Sequence, residues 1–302
     1  MLISVIIPHL NQPEALGRCL ESLHAQSGLR SDVEIIVVDN GSARPPAAIC
    51  ARWPGVRLLH ESRPGPGPAR NRGIADAGGE ILAFIDADCR ADGGWLAAIE
   101  RAFDDPDMQI AGGDVQVPFE DPARPTALEC YERVYAYRNR RYVAAGFSGT
   151  GNMATRPEVF AAVGPFGGVE IAEDRDWGRR ATALGYRIRY LPEMIVYHPA
   201  RTDFGQMRAK WARHILHDFR RVRGVTGRVR WAARALAVAL SPAVELVRIL
   251  ATDRLRGPGQ RARAFACLLR VRLYRAGRML AVLLGGAGRS AERGWNRGAG
   301  DG

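Results

Sequence analysis

The chain has 302 residues, enough for one large α/β domain or two smaller ones, and its 47% hydrophobic content is that of an ordinary globular protein. The net charge of +11 is unevenly held: residues 1–200 carry 21 Arg and no Lys against 26 acidic residues, net −5, whereas residues 201–302 carry a net +16. An acidic body with a basic tail argues against a nucleic-acid-binding domain, and five scattered cysteines without a CxxC pair argue against a disulfide framework or zinc cluster and fit a reducing cytoplasm.

In chain order, the first 120 residues alternate between apolar β-like runs and helix-like runs. MLISVIIPHL has no basic residue before its short apolar run, so it reads as a first strand, Ile3–Ile7, rather than a signal peptide. Further strands are predicted over Val33–Val38, Val56–Leu59, Ile81–Ile85 and Gln109–Val117. Helices are predicted over Glu14–Gln26, where Leu16, Leu20 and Leu23 recur at helical spacing, and over Ala47–Arg52, Pro68–Ala77 and Gly94–Phe103. Near-continuous Val/Ile strands alternating with helices predict a mostly parallel sheet covered by helices on both faces. Such sheets bind ligands at the carboxyl ends of their strands. Between strands, ESRPGPGPARNRG (61–73) is a loop that enters a helix at Pro68; it either delivers Arg70 to a phosphate or is a plain connector. Beyond residue 148, GTGNMATRPEVF reads as a turn, a short strand and a helix beginning at Pro157, and residues 171–199 read as a helix followed by two short strands.

Two acidic strand ends stand out. Asp39 closes EIIVVD, and FIDADC places Asp86 and Asp88 one residue apart where the fourth strand stops. In extended chain such residues point the same way, so both carboxylates can face one site, and their mutual repulsion calls for a cation or donor hydrogens. A solvated turn is the alternative reading.

The motifs SVIIPHLNQ, EIIVVDNGS, ARNRGI, ILAFIDADC, GTGNMATRPEVF, EDRDWGRR and VYHP occur in this order, and together they resemble glycosyltransferase family 2 over about residues 2–200. The resemblance implies a GT-A fold and inverting transfer of a sugar from a nucleotide-diphosphate donor to an acceptor hydroxyl, with a divalent metal, Mg²⁺ or Mn²⁺. It implies that Asp88, the last residue of the DXD-like DAD, is a metal ligand beneath the diphosphate, joined by His198, which is otherwise a structural histidine at a strand end. Asp86 would face the ribose, or the metal through water, beside Ala87. Asp39, Pro8 and Asn11 would line the nucleoside pocket, with Leu10 where the family usually has an aromatic ring. Asp174 of EDRDWGRR would be the general base and Glu173 would orient the acceptor. Trp177 would offer the sugar a flat wall, and Gly151 and Asn152 would complete the acceptor side. Without the other motifs, Glu173 and Asp174 read as ordinary helix-start acids.

The resemblance divides the chain into a GT-A domain, 1–200, with a nucleotide-sugar half to about 120 and an acceptor half after it, and a tail, 201–302. No uncharged run in the tail exceeds ten residues, against roughly 20 needed to span a bilayer. Pro242 is expected to end or kink a first tail helix. Phe265, Leu269, Leu273, Ala276, Leu280 and Leu283 form an apolar stripe with arginines mostly off it. Such a helix either lies on an anionic membrane surface or packs on its own domain. The expectation is a cytoplasmic enzyme, peripheral on the inner face of the cell membrane, using a glycan or lipid-linked acceptor in cell-envelope polysaccharide or glycolipid synthesis. A catalytically inactive nucleotide-sugar-binding scaffold is the alternative.

Overall fold

The computed structural model describes residues 1–285. Its described residues form two compact units: residues 1–116 with 138–198, and residues 117–137 with 199–285.

The first unit is built on one eight-stranded sheet. Its strands are β1 (Leu2–His9), β2 (Asp32–Asp39), β3 (Val56–His60), β4 (Ile81–Ile85), β5 (Arg90–Ala91), β6 (Ile110–Gln116), β7 (Asn152–Thr155) and β8 (Ile188–Tyr197). Their order across the sheet is β3-β2-β1-β4-β7-β6-β8-β5. β1 pairs in parallel with β2 and β4, and β3 extends β2 in parallel. The buried Val/Ile runs of β1, β2 and β4 suit a sheet covered on both faces. β7 enters antiparallel between β4 and β6, and β5 pairs antiparallel with β8. The helices of this unit are α1 (Pro13–His24), α2 (Ala47–Cys50), α3 (Pro66–Asp76), α4 (Trp95–Phe103), α6 (Asn139–Ala144), α7 (Pro157–Val163) and α8 (Glu173–Ala183); α5 (Ala127–Tyr135) belongs to the second unit.

One sequence expectation is corrected here. The two short strands expected before residue 199 are one strand, β8, whose register against β6 jumps between Gly113/Leu191 and Asp114/Ile195. Pro192 falls in that jump, where its missing N–H costs no ladder bond. Residues 117–137, which lie inside the expected 1–200 domain, cluster with the helices that follow residue 199.

The second unit is helical: α5, α9 (Phe204–Phe219), α10 (Gly224–Leu240), α11 (Pro242–Ala251) and α12 (Gly257–Leu283). α5 begins with a capping box, Thr126 accepting from the Glu129 amide while Glu129 accepts from the Thr126 amide. Its Cys130, Tyr131 and Val134 pack with Leu268 and Val271 of α12 and Ile249 of α11. Trp231, Ala235 and Met279 close a second cluster between α10 and α12. Pro242 occupies the first turn of α11, and the bond from Glu245 N–H to the Ser241 carbonyl carries the backbone through the junction. The buried face of α12 runs through Ala264, Leu268, Val271, Ala276 and Met279. Of the expected apolar stripe, Leu269, Leu273 and Leu280 stay exposed while Ala276 is buried. Among the described residues, no helix is long and apolar enough to cross a membrane.

Candidate active site

The polar residues gather where β1, β2 and β4 end, as an open α/β sheet requires. β4 stops at Ile85, and the chain then turns through Asp86-Ala87-Asp88, closed by the Cys89 N–H to Asp86 carbonyl bond of 2.9 Å. It re-enters the sheet as β5, with Arg90 opposite Tyr197 at the end of β8. That pairing brings the next residue of β8's strand end, His198, over the DAD turn: its Nε2 lies 3.4 Å from Asp88 Oδ2. The His198 N–H donates to the Gln116 carbonyl at 2.9 Å, which fixes the backbone of that strand end. Burial pushes the Asp88 carboxyl up, but the hydrogen bond and charge of His198 outweigh it and hold the net value below the usual range.

Asp86 takes the opposite electrostatic role. Burial first, with the Asp88 charge, raises its carboxyl despite a 2.6 Å bond from Arg70 Nη2 to Oδ1. Its second oxygen lies against Gly151, where a Cβ would come within 2.6 Å of it. Gly151 is therefore the clearance that admits this carboxylate.

Arg70 is 2% exposed, and its two terminal nitrogens are both taken: one by Asp86, the other by Glu173 Oε1 at 3.0 Å. It ties the strand-end acid to the first residue of α8, a link between positions far apart in sequence that spacing could not reveal. Its Nε is buried without a partner.

Asp174, next along α8, accepts from the Arg175 N–H at 2.6 Å. Burial first and the neighbouring Glu173 charge second raise its carboxyl above the ordinary range, against the pull of Arg70. Trp177 is fully buried, donates from Nε1 to the Gly164 carbonyl at 2.9 Å and packs on Phe160 and Phe166, so it supports α8 from behind and has no face open to solvent. Arg180 locks the same helix to the 163–165 turn through the Val163 and Pro165 carbonyls. Asn152 is fully buried, accepts from Trp95 Nε1 and spends both amide hydrogens on the Asp114 and Met194 carbonyls, which ties β7 to β6 and β8.

At the β1 and β2 ends, buried Asp39 accepts from the Ser42 hydroxyl and amide and lies 3.1 Å from His9 Nδ1. His9, which the sequence reading passed over, is itself buried, and burial holds it below its ordinary value even though Asp39 pulls it up. Asn11 adopts φ 53°, a left-handed conformation that Asn tolerates, and accepts from the Ala43 N–H at 2.9 Å. Pro8, Leu10 and Ala87 are buried, so Ala87 offers a ligand only its backbone. Asn40, also missed, pins the Pro/Gly loop by donating to the Glu61 and Arg63 carbonyls and accepting from the Gly65 N–H.

The donor set suits a hard divalent cation. Asp88, Cys89 and His198 each bring a ligand atom within 4.8 Å of the others. Burial keeps the Cys89 thiol well above its ordinary range, and a thiol is a poor partner for Mg²⁺ or Mn²⁺, which leaves Asp88 and His198 as the fitting pair.

The pattern described as glycosyl transferase family 2 matches residues 4–164. Glycosyltransferase AglE of Haloferax volcanii is 32% identical over 215 residues, 69% of this chain and 70% of that protein. A pre-mycofactocin glycosyltransferase of Mycobacterium tuberculosis is 30% identical over 215 residues, 67% of this chain and 43% of that protein. Among solved structures, the mannosyltransferase PcManGT from Pyrobaculum calidifontis, in complex with GDP-Man and Mn²⁺, superposes with a TM-score of 0.57 at 17% identity, covering 94% of this chain and 88% of that one. S. aureus TarS 1–349 in complex with UDP-GlcNAc gives 0.52 at 17% identity, with 94% and 91% coverage. Those two share the GT-A fold, and the extent of the sequence matches settles the family: this chain belongs to glycosyl transferase family 2.

Proposed function

We propose that the chain transfers a sugar from a nucleotide-diphosphate donor to an acceptor hydroxyl with inversion at the anomeric carbon. The observation that carries this reading is the acid–Arg–acid bridge: Asp86 at the strand end and Glu173 at the start of α8 share Arg70, so a donor-side acid and an acceptor-side acid are held in one frame. The nucleoside would lie along Pro8, Asn11 and Asp39, with Asp86 on its ribose. Structural neighbours carry GDP-Man and UDP-GlcNAc, which supports a nucleotide-sugar donor without choosing the base.

Asp88 and His198 would hold the divalent cation, Mg²⁺ or Mn²⁺, which when bound offsets the charge that grows on the leaving diphosphate. Inversion needs one displacement, during which the attacking hydroxyl must lose its proton. Asp174 would take it, and its raised carboxyl makes it a stronger base than an ordinary aspartate. Glu173 would orient the acceptor while Arg70 holds it in place.

The acceptor reading follows from the tail. Along α10 and α11, Val225, Val229, Leu236, Leu240, Val244 and Val247 are all exposed, and they fall within roughly 100° of a helical wheel at 100° per residue. An exposed apolar stripe in a segment of net charge +16 suits the interface of an anionic membrane. The acceptor would then be a lipid-linked sugar or another membrane-borne hydroxyl, as in envelope glycan synthesis.

A thermal-shift screen of nucleoside diphosphates with Mg²⁺ or Mn²⁺, followed by turnover of the stabilising nucleotide's sugar, tests the reading. Stabilisation that needs both nucleotide and metal is expected. A protein that ignores every pair, or binds one and turns over no sugar, overturns it.

A further inference from the structure

The helical unit holds a second polar constellation that sugar transfer does not use. Between α9, α10 and α12 lies a cavity of about 110 Å³ whose lining includes Trp211, His214, Asp218, Trp231, Arg234 and Arg275. It is several times the roughly 30 Å³ that one water occupies in the liquid. Two buried donors of this lining have no acceptor: the indole Nε1 of Trp211 and the Nε of Arg275. The Arg275 guanidinium sits 3.6 Å from the centre of the Trp211 ring, and among the described residues no carboxylate pairs with it. Asp218, the acid in the lining, is engaged by Arg234 at 3.1 Å. Burial, followed by the Arg272 charge, lowers Arg275 only to about 10, so it is a cation at neutral pH. Buried donors are nearly always paired in folded proteins, and a half-buried cation beside orphan donors asks for an anion.

A wider groove of about 480 Å³ shares Trp231 and Arg234 with this cavity. Arg221, Arg223 and Arg230 line it, together with Thr226 and Gly227 from the first turn of α10, and no acidic residue does. That turn has no side-chain cap, so its N–H groups add to the positive potential of a 17-residue helix.

We propose that the cavity and groove form a binding site for a phosphate group. Arg275 and Trp211 Nε1 are its inner donors; Arg230, Arg234 and the first turn of α10 are its outer ones. The site rests on these residues alone and not on the catalytic reading. The phosphate can be free phosphate or diphosphate, or the headgroup of an anionic phospholipid. Val225, 78% exposed on the same helical turn as Thr226, gives the second source an apolar neighbour.

Full-length protein in chelator, free of divalent metal, is titrated calorimetrically with inorganic diphosphate. In parallel it is sedimented with phosphatidylcholine vesicles with and without phosphatidylglycerol. Two variants report on the inner donors: Arg275→Met, which keeps a long apolar stem on Trp211, and Trp211→Phe, which keeps the ring and removes the N–H. Asp88→Ala is expected to bind as wild type in both arms, which separates this site from the metal-dependent one. Saturable diphosphate binding weakened at least tenfold by Arg275→Met and several-fold by Trp211→Phe supports the site for soluble phosphate. Binding confined to phosphatidylglycerol vesicles, with the same losses, supports it for a headgroup. No binding in either arm, or folded variants that bind as wild type, overturns the proposal.

Discussion

Asp88 and His198 meet because β5 and β8 pair, and the proposal that they hold a metal makes a direct prediction. Asp88→Ala should abolish metal-dependent stabilisation by a nucleoside diphosphate in a thermal-shift assay while leaving the unliganded melting temperature close to wild type; retained metal-dependent binding would remove Asp88 from the ligand set. As the proposed base, Asp174 would carry the pH dependence. The base must be ionised to accept a proton, and its carboxyl is raised by burial and by Glu173, so activity should be present at high pH and fall as pH drops through a value above that of an ordinary aspartate. Asp174→Asn should lower transfer about 10²–10⁴-fold with donor binding nearly unchanged, measured as kcat against donor Kd. Near-normal transfer would redirect the role to Glu173. Asp86, Asp88, Glu173 and Asp174 were legible in the sequence because their spacing is local: two carboxylates on one strand end, two on one helix start. The bridge through Arg70 was not, since nothing in one sequence reports that three segments converge.

At the scale of elements, the strands with uninterrupted Val/Ile runs were legible because they are buried on both faces, whereas β5 and the antiparallel placement of β7 were not. Two residues of β5 carry no periodicity, and strand direction depends on the path of the chain between strands. Trp177 shows how the same limit misleads at a site. Its position at the start of an acidic helix suggested a sugar platform, but its side chain is buried in the cluster of Phe84, Phe160 and Phe166, a packing that the pattern of acids around it does not report. Trp177→Ala should therefore act on folding, costing about 3–5 kcal/mol in denaturant unfolding. Trp177→Phe, which loses the bond to the Gly164 carbonyl but keeps most of the packing, should cost much less and leave the acceptor KM nearly unchanged. A large rise in acceptor KM in a stable Trp177→Phe protein would restore the stacking role.

For the whole molecule, the charge division between residues 1–200 and 201–302 predicts that the full chain binds anionic vesicles at low salt. High salt should release only part of it, because screening over a Debye length of about 10 Å at 0.1 M weakens the arginines but not an inserted apolar stripe. Protein that stays in the supernatant with such vesicles would confine the tail to a packing role. Composition made the division visible; it did not show that α5, encoded ahead of β7 and β8, is packed with the last helices. That placement has a consequence for synthesis. Cys130, Tyr131 and Val134 leave the ribosome long before Leu268 and Val271, the side chains that bury them, have been translated. At about 5–20 residues per second the nascent chain must carry an unclosed apolar face for several seconds, which makes this segment a natural client for a chaperone. A chain terminated at residue 200 never acquires the cover at all. It should collect in inclusion bodies even though every strand of the sheet is complete.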